Sequence, residues 1–212
     1  FKTNCSTGFL PEGDVCFLRK GVKQSNSTFL QTIADILSTP TKIIKLEDLI
    51  SILVKNCTEK IFNSLNNGSL KIIFKNRKSK NTAYENYLIY LQTNEIIKEE
   101  KYSWDLISKP GIISKDGLNV IIFTDTKILC PVGINSEDFY DKNKQTIFTI
   151  KQDKFFEPIY KVSNFGSIFI EKFFTTDKEE SVNLVLNTLE TFCQDKYDIE
   201  WSKVLKDNEK IL

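Results

Sequence analysis

The sequence predicts an α+β domain, with a helical first half packed on a mixed or antiparallel sheet and an amphipathic helix near the C-terminus. Three observations predict it. Apolar residues recur at helical spacing from Phe29 to Leu91, short runs rich in Ile, Val, Phe and Thr occupy residues 118–173, and the helical period returns after Thr176. Helices that precede strands, rather than alternate with them, favour helices laid over a sheet instead of a doubly wound parallel core. The 212 residues suit one domain with a substantial core.

Residues 1–19 mix Gly8, Pro11 and Gly13 with single apolar residues and read as an irregular leading segment. The domain proper is set at 20–175, with 176–212 as a C-terminal helix and tail. Phe29, Leu30, Ile33, Ile36 and Leu37 make the first helical face, with Asn26 or Ser27 as its cap and Thr39-Pro40 as its stop. Leu46, Leu49, Ile50, Leu53 and Val54 mark a second helix, and a short third runs from Thr58 to Leu65 before the Asn66-Asn67-Gly68 turn. Tyr84, Tyr87, Leu88 and Leu91 share a face of the next helix; aromatic residues at this spacing read as core. Strands are expected at Leu118–Thr124, Lys127–Val132, Thr146–Lys151, Glu157–Val162 and Ser167–Phe173. Thr176 and Glu179 read as a capping box ahead of Val182, Val185, Leu186, Leu189 and Phe192.

Composition removes several functions. The chain has no histidine, which excludes an imidazole base, dyad, triad or metal ligand. Its 29 Lys+Arg balance 28 Asp+Glu, so the net charge of +1 exerts no global pull toward nucleic acid or an anionic membrane. Apolar runs such as Val120-Ile121-Ile122-Phe123 fall far short of the roughly 20 residues of a membrane span. Cys5, Cys16, Cys57, Cys130 and Cys193 are widely spaced with no C-x-x-C pair, and read as buried reduced thiols rather than a zinc site or disulfide framework. Asn4, Asn26, Asn56 and Asn67 head N-x-[ST] triplets, but in a chain so rich in Asn, Ser and Thr these give no inference of secretion. Neither a cofactor nor a metal is expected. Without methionine, and beginning at Phe1, the chain reads as a piece of a longer polypeptide.

Two separated segments resemble the catalytic signatures of the ovarian-tumour (OTU) cysteine proteases. The first is Gln24-Ser25-Asn26-Ser27-Thr28-Phe29-Leu30, similar to the family's Asp-Gly-Asn-Cys-x-Phe motif, with Ser27 where the nucleophilic cysteine belongs. The second is the run from Thr146 to Tyr160, where Phe155 occupies the place of the family's histidine. Between them, Trp104-Asp105-Leu106 and Leu118–Phe123 resemble the family's helix ahead of a buried strand. The resemblance covers roughly residues 20–162. It implies an OTU/papain-like architecture in which Asn26, Ser27, Phe155, Phe156 and Trp104 line a binding groove. With serine and phenylalanine at the two catalytic positions, it also implies a pseudoenzyme.

The blocks Tyr84-Glu85-Asn86-Tyr87-Leu88, Tyr102-Ser103-Trp104-Asp105-Leu106 and Phe156-Glu157-Pro158-Ile159-Tyr160 also resemble a segment of very large uncharacterised proteins of nucleocytoplasmic giant DNA viruses. The Lys-, Asn- and Ile-heavy composition fits such an AT-rich genome. The expected role is protein interaction or scaffolding within a larger viral structural or transcription-associated protein. Its partner would be viral or ubiquitin-like, and its location the cytoplasm of the infected host cell or the virion. An alternative is a Mg²⁺-dependent nuclease of the PD-(D/E)xK kind, with Asp116, Asp125 and Lys127 around strand Leu118–Phe123. Another is nucleic-acid binding through the basic run of Lys71, Lys75, Arg77, Lys78 and Lys80, which otherwise reads as a solvated loop.

Overall fold

A computed structural model describes residues 10–131, 139–193 and 199–200. The first half contains β1 (Val15–Arg19), α1 (Thr28–Leu37), α2 (Leu46–Asn56), α3 (Glu59–Phe62), α4 (Leu70–Ile73), α5 (Ala83–Gln92) and α6 (Trp104–Ser108). The second contains β2 (Leu118–Phe123), β3 (Lys127–Ile128), β4 (Gln145–Gln152), β5 (Phe155–Asn164), β6 (Ile168–Glu171), α7 (Glu180–Phe192) and β7 (Ile199–Glu200). Helices therefore lead and strands follow, as the periodicity predicts. The rest of the expected Asp195–Leu212 tail lies outside the described residues, as does Cys5.

The sheet runs β1-β5-β4-β2-β3-β7, with β6 also paired to β5. It is mixed: β2 and β4 are parallel, with Val120 opposite Ile147, and the other pairings are antiparallel. Residues Leu118–Ile122 are all buried, the pattern of a central strand covered on both faces. On β5, Phe156, Pro158, Tyr160 and Val162 are buried in alternation, so a single face looks into the core.

The helices anchor to this sheet through polar side chains as well as apolar ones. Thr32 of α1 donates its hydroxyl to the Phe156 carbonyl at 2.9 Å, and the Trp104 indole of α6 donates to the Val120 carbonyl at 3.0 Å. Asn119, fully buried in β2, donates to the Asp141 carbonyl and accepts the Asp141 N–H, so its amide is satisfied at both ends. Phe62, Phe74, Tyr87, Tyr90 and Tyr102 form a contiguous ring cluster under the helical half, so the aromatic stripe is core. The Asn66-Asn67-Gly68 turn forms with all three residues at positive φ.

Three expectations are corrected. Val15–Arg19 is a strand rather than irregular chain, because it completes the edge of β5 with Phe17 opposite Lys161. The C-terminal helix starts at Glu180 and has no Thr176 capping box. The Thr176 hydroxyl donates instead to the Lys142 carbonyl, and the carboxylate of the capping residue Glu179 pairs with Lys161. Val182, Leu186 and Leu189 of this helix belong to the main core. Finally, the cysteines are not all reduced. Cys130 and Cys193 form a disulfide with Cα atoms 5.5 Å apart across 63 residues of sequence, and Cys16 is disulfide-bonded as well. Wide sequence spacing hid the pairing, which exists because the chain after β3 and the end of α7 meet in space. A cross-link over so long a loop contributes about 2–4 kcal/mol. Cys57 fits the reduced reading: it is buried, unpaired, and its thiol is pushed up to about 11 by burial.

Candidate functional site

The N-terminus of α1 packs against the β4–β5 hairpin. The hairpin turns through Asp153 and Lys154, with Asp153 at φ 54°, a conformation aspartate tolerates better than most residues. This turn carries the Lys154 carbonyl to the Thr28 hydroxyl, which donates to it at 2.8 Å. Phe29 meets Phe156 edge to face, ring centres 5.1 Å apart. The residues that follow Ser27 and precede Phe155 are thus hydrogen-bonded to each other, so the two signature positions lie on one contact.

Two clefts flank that contact. One, of about 250 Å³, is lined by Arg19, Thr28, Gln152, Phe155, Phe156 and Glu157 among others. The second, of about 370 Å³, is lined by Gln24, Asn26, Thr28, Lys98, Lys154 and Phe155 among others. Gln24, Thr28 and Phe155 border both. Of the groove residues read from sequence, Asn26, Phe155 and Phe156 are on these walls. Ser27 is only 3% exposed and lines neither cleft, and its hydroxyl makes no capping bond. Trp104 departs from the expected groove: its indole is buried beneath β2 and edge-on to Phe139 at 5.8 Å, a packing role.

The polar groups of the site are committed to structure. Asn26 donates its amide to the Asn94 carbonyl, while its own carbonyl accepts the Lys98 N–H at 2.8 Å. The Lys98 ammonium is buried and donates to the Thr93 carbonyl; burial lowers its pKa, with nearby Glu95 opposing. Arg19 pairs with Glu157 and donates to Gln152, whose amide donates to Asp125. Phe155, 36% exposed, presents an apolar face with the Lys154 ammonium 5.7 Å from its ring centre. Among the described residues, the surface combines the apolar Phe155 and Phe156 with the charged Arg19, Lys154, Asp153 and Glu157.

Arg19, Gln152, Glu157 and Lys98 went unnoticed in the sequence. The short apolar, β-prone run Val15-Cys16-Phe17-Leu18 ahead of Arg19 was the available signal for the first; the register of β4 and β5 has no local signature.

The other sequence candidates lie elsewhere. Asp116 and Asp125 flank β2 at opposite ends, and a six-residue strand spans about 20 Å. Those carboxylates do not converge, and no cluster of three or more potential ligands is found among the described residues. Lys71, Lys75, Arg77, Lys78 and Lys80 are exposed on and after α4. No helix among the described residues is long and apolar enough to cross a membrane.

No known protein-family profile matches the chain. It is similar to an uncharacterised protein of Acanthamoeba polyphaga mimivirus, 28% identical over 206 residues. That alignment takes in 86% of this chain and 12% of the mimivirus protein, so the chain spans about an eighth of the length of the relative it matches.

Proposed function

We propose that this chain is a catalytically inactive OTU-like domain that serves protein interaction or scaffolding within a larger viral structural or transcription-associated protein. The observation that carries the reading is the meeting of α1 with the β4–β5 hairpin at the two signature positions, filled by Ser27 and Phe155. Helix, hairpin and strand order support an OTU/papain-like architecture. A serine hydroxyl needs a positioned base to attack at neutral pH, and phenylalanine can neither take nor orient a proton. Ser27 is also shut away from the clefts, which supports a site that binds without cutting.

The two clefts meeting at Thr28 and Phe155 suit an extended polypeptide tail from a viral or ubiquitin-like protein. The mimivirus relative supports a viral setting, in the infected cell's cytoplasm or the virion, and its much greater length supports a domain within a larger polypeptide.

The test has two arms. Ubiquitin and ubiquitin-like substrates carrying a fluorogenic C-terminal group should show no turnover; measurable hydrolysis would overturn the assignment of inactivity. Partner capture from infected cells should be lost in Phe155→Asp and kept in Ile43→Asp, a control at an exposed position away from the clefts. Equal capture by both variants would remove the clefts as the binding site.

A further inference from the structure

The segment around α4 carries a surface that the cleft reading does not use. From Ile61 to Tyr84 there are five basic residues, Lys71, Lys75, Arg77, Lys78 and Lys80, and no Asp or Glu. All five side chains are exposed, and none makes an ion pair among the described residues. The next acidic group, Glu85, is spent on the cap of α5, where it accepts the Thr82 N–H. In a chain with a net charge of +1, this is a local concentration of unbalanced cations.

Among these cations stand Ile72, 80% exposed, and Ile73, 49% exposed. Ile72 is the most exposed of the large hydrophobic residues described. The surface is held in shape. Leu70 is buried beneath it, Asn86 donates to the Phe74 carbonyl, and the Asn76 side chain accepts the Lys78 N–H at 2.9 Å.

We infer that the α4 surface docks on an anionic lipid bilayer, with Ile72 and Ile73 entering the headgroup–acyl boundary and the five cations facing acidic headgroups. Charge complementarity selects an anionic partner, and the paired isoleucines select among anions. A phosphate backbone rewards Lys and Arg but gains nothing from exposed isoleucine, whereas a bilayer rewards both. The contact is peripheral, a surface association rather than a span.

Sedimentation of the full chain with vesicles tests this. Vesicles of phosphatidylserine and phosphatidylcholine should carry the protein down at low salt, pure phosphatidylcholine should not, and added salt should release it. Each cation near an acidic surface changes partitioning about fivefold, so K75Q/R77Q/K78Q should weaken it about 100-fold. Ile72→Ser should weaken it about tenfold, with an unchanged circular dichroism spectrum because the side chain packs against little. No phosphatidylserine-dependent sedimentation would overturn the proposal. So would a patch that binds single- or double-stranded DNA or RNA with loss in the charge variant and none in Ile72→Ser, which would make the partner a nucleic acid.

Discussion

The two ends of α1 are built from different chemistry. At its N-terminus, where the resemblance to OTU proteases expects a reactive thiol, the contacts are a Thr28 hydroxyl on a hairpin-turn carbonyl and two phenylalanines packed edge to face. At its C-terminus the ionisable groups gather. Asp35 accepts from the Tyr160 hydroxyl and from Lys20, while Lys172 donates to the Asp35 and Ser38 carbonyls at 2.7 and 2.8 Å. The same lysine lies 5.0 Å from the Tyr160 ring centre. A cation at the last turn of a helix opposes the negative end of its dipole and fills carbonyls that have no partner within the helix. The charged machinery of α1 thus secures the helix to β5, and the end that a cysteine protease would activate is packed as core.

That contrast can be broken first at its apolar end. Phe29 is almost completely buried against Phe156, and Phe29→Ala should cost about 3–5 kcal/mol in denaturant unfolding. A loss below about 1 kcal/mol would mean that this end is loosely packed after all. At the charged end, Lys172→Met keeps the aliphatic stem and removes the two carbonyl contacts. A loss of about 1–2 kcal/mol is expected, smaller because the ammonium is only half-buried. An unchanged unfolding midpoint would reduce the cluster to decoration.

Acid should act on the charged end alone. Burial pushes the Asp35 carboxyl upward, but hydrogen bonds from Tyr160 and Lys20, with the charges of Lys20 and Lys172, outweigh it and hold the group below its ordinary value. A carboxylate depressed in the folded state stabilises above its unfolded pKa, near 4, and that stability is lost as pH falls through the folded value. Stability should therefore decline below about pH 4 in the native protein, and decline less steeply in Asp35→Asn. Parallel pH curves for the two would assign the acid sensitivity to other carboxylates. The partner Tyr160 moves oppositely: burial, then the Asp35 contact, raises its pKa, so it remains a donor throughout this range.

Much of this fold was legible because it is written in short-range periods. Phe29, Leu30, Ile33 and Ile36 announce α1, and Tyr84, Tyr87, Leu88 and Leu91 announce α5. What failed depends on residues far apart in the chain. Cys130 and Cys193 give no sign of each other at 63 residues' separation, and Val15–Arg19 becomes a strand only because β5 offers an edge. Trp104 illustrates the same limit from the other side: an indole next to a signature-like run went to the Val120 carbonyl and the core instead of a groove. The α1–hairpin contact itself joins residues 126 apart in the chain. Of its walls, Arg19 and Gln152 required the register of β1, β4 and β5, and Lys98 required a loop that bonds back to Asn26.

The smallest predicted effect is the most informative about Ser27. A serine before a helix ordinarily earns its place by accepting an N–H from the first turn, and losing such a cap costs about 0.5–2 kcal/mol. The Ser27 hydroxyl makes no such bond, and its N–H donates instead to the Ser25 hydroxyl at 3.1 Å, which a change of side chain leaves intact. Ser27→Ala should therefore shift stability by less than about 0.5 kcal/mol, whereas Thr82→Ala, which removes a working cap from α5, should cost about 1 kcal/mol. Partner capture should likewise be unaffected by Ser27→Ala and sensitive to Phe155→Asp. A stability loss at Ser27 equal to that at Thr82 would show the hydroxyl to be a cap, and a loss of partner capture at Ser27 would place it on the binding surface; either result would move the N-terminal end of α1 out of the inert class in which its packing puts it.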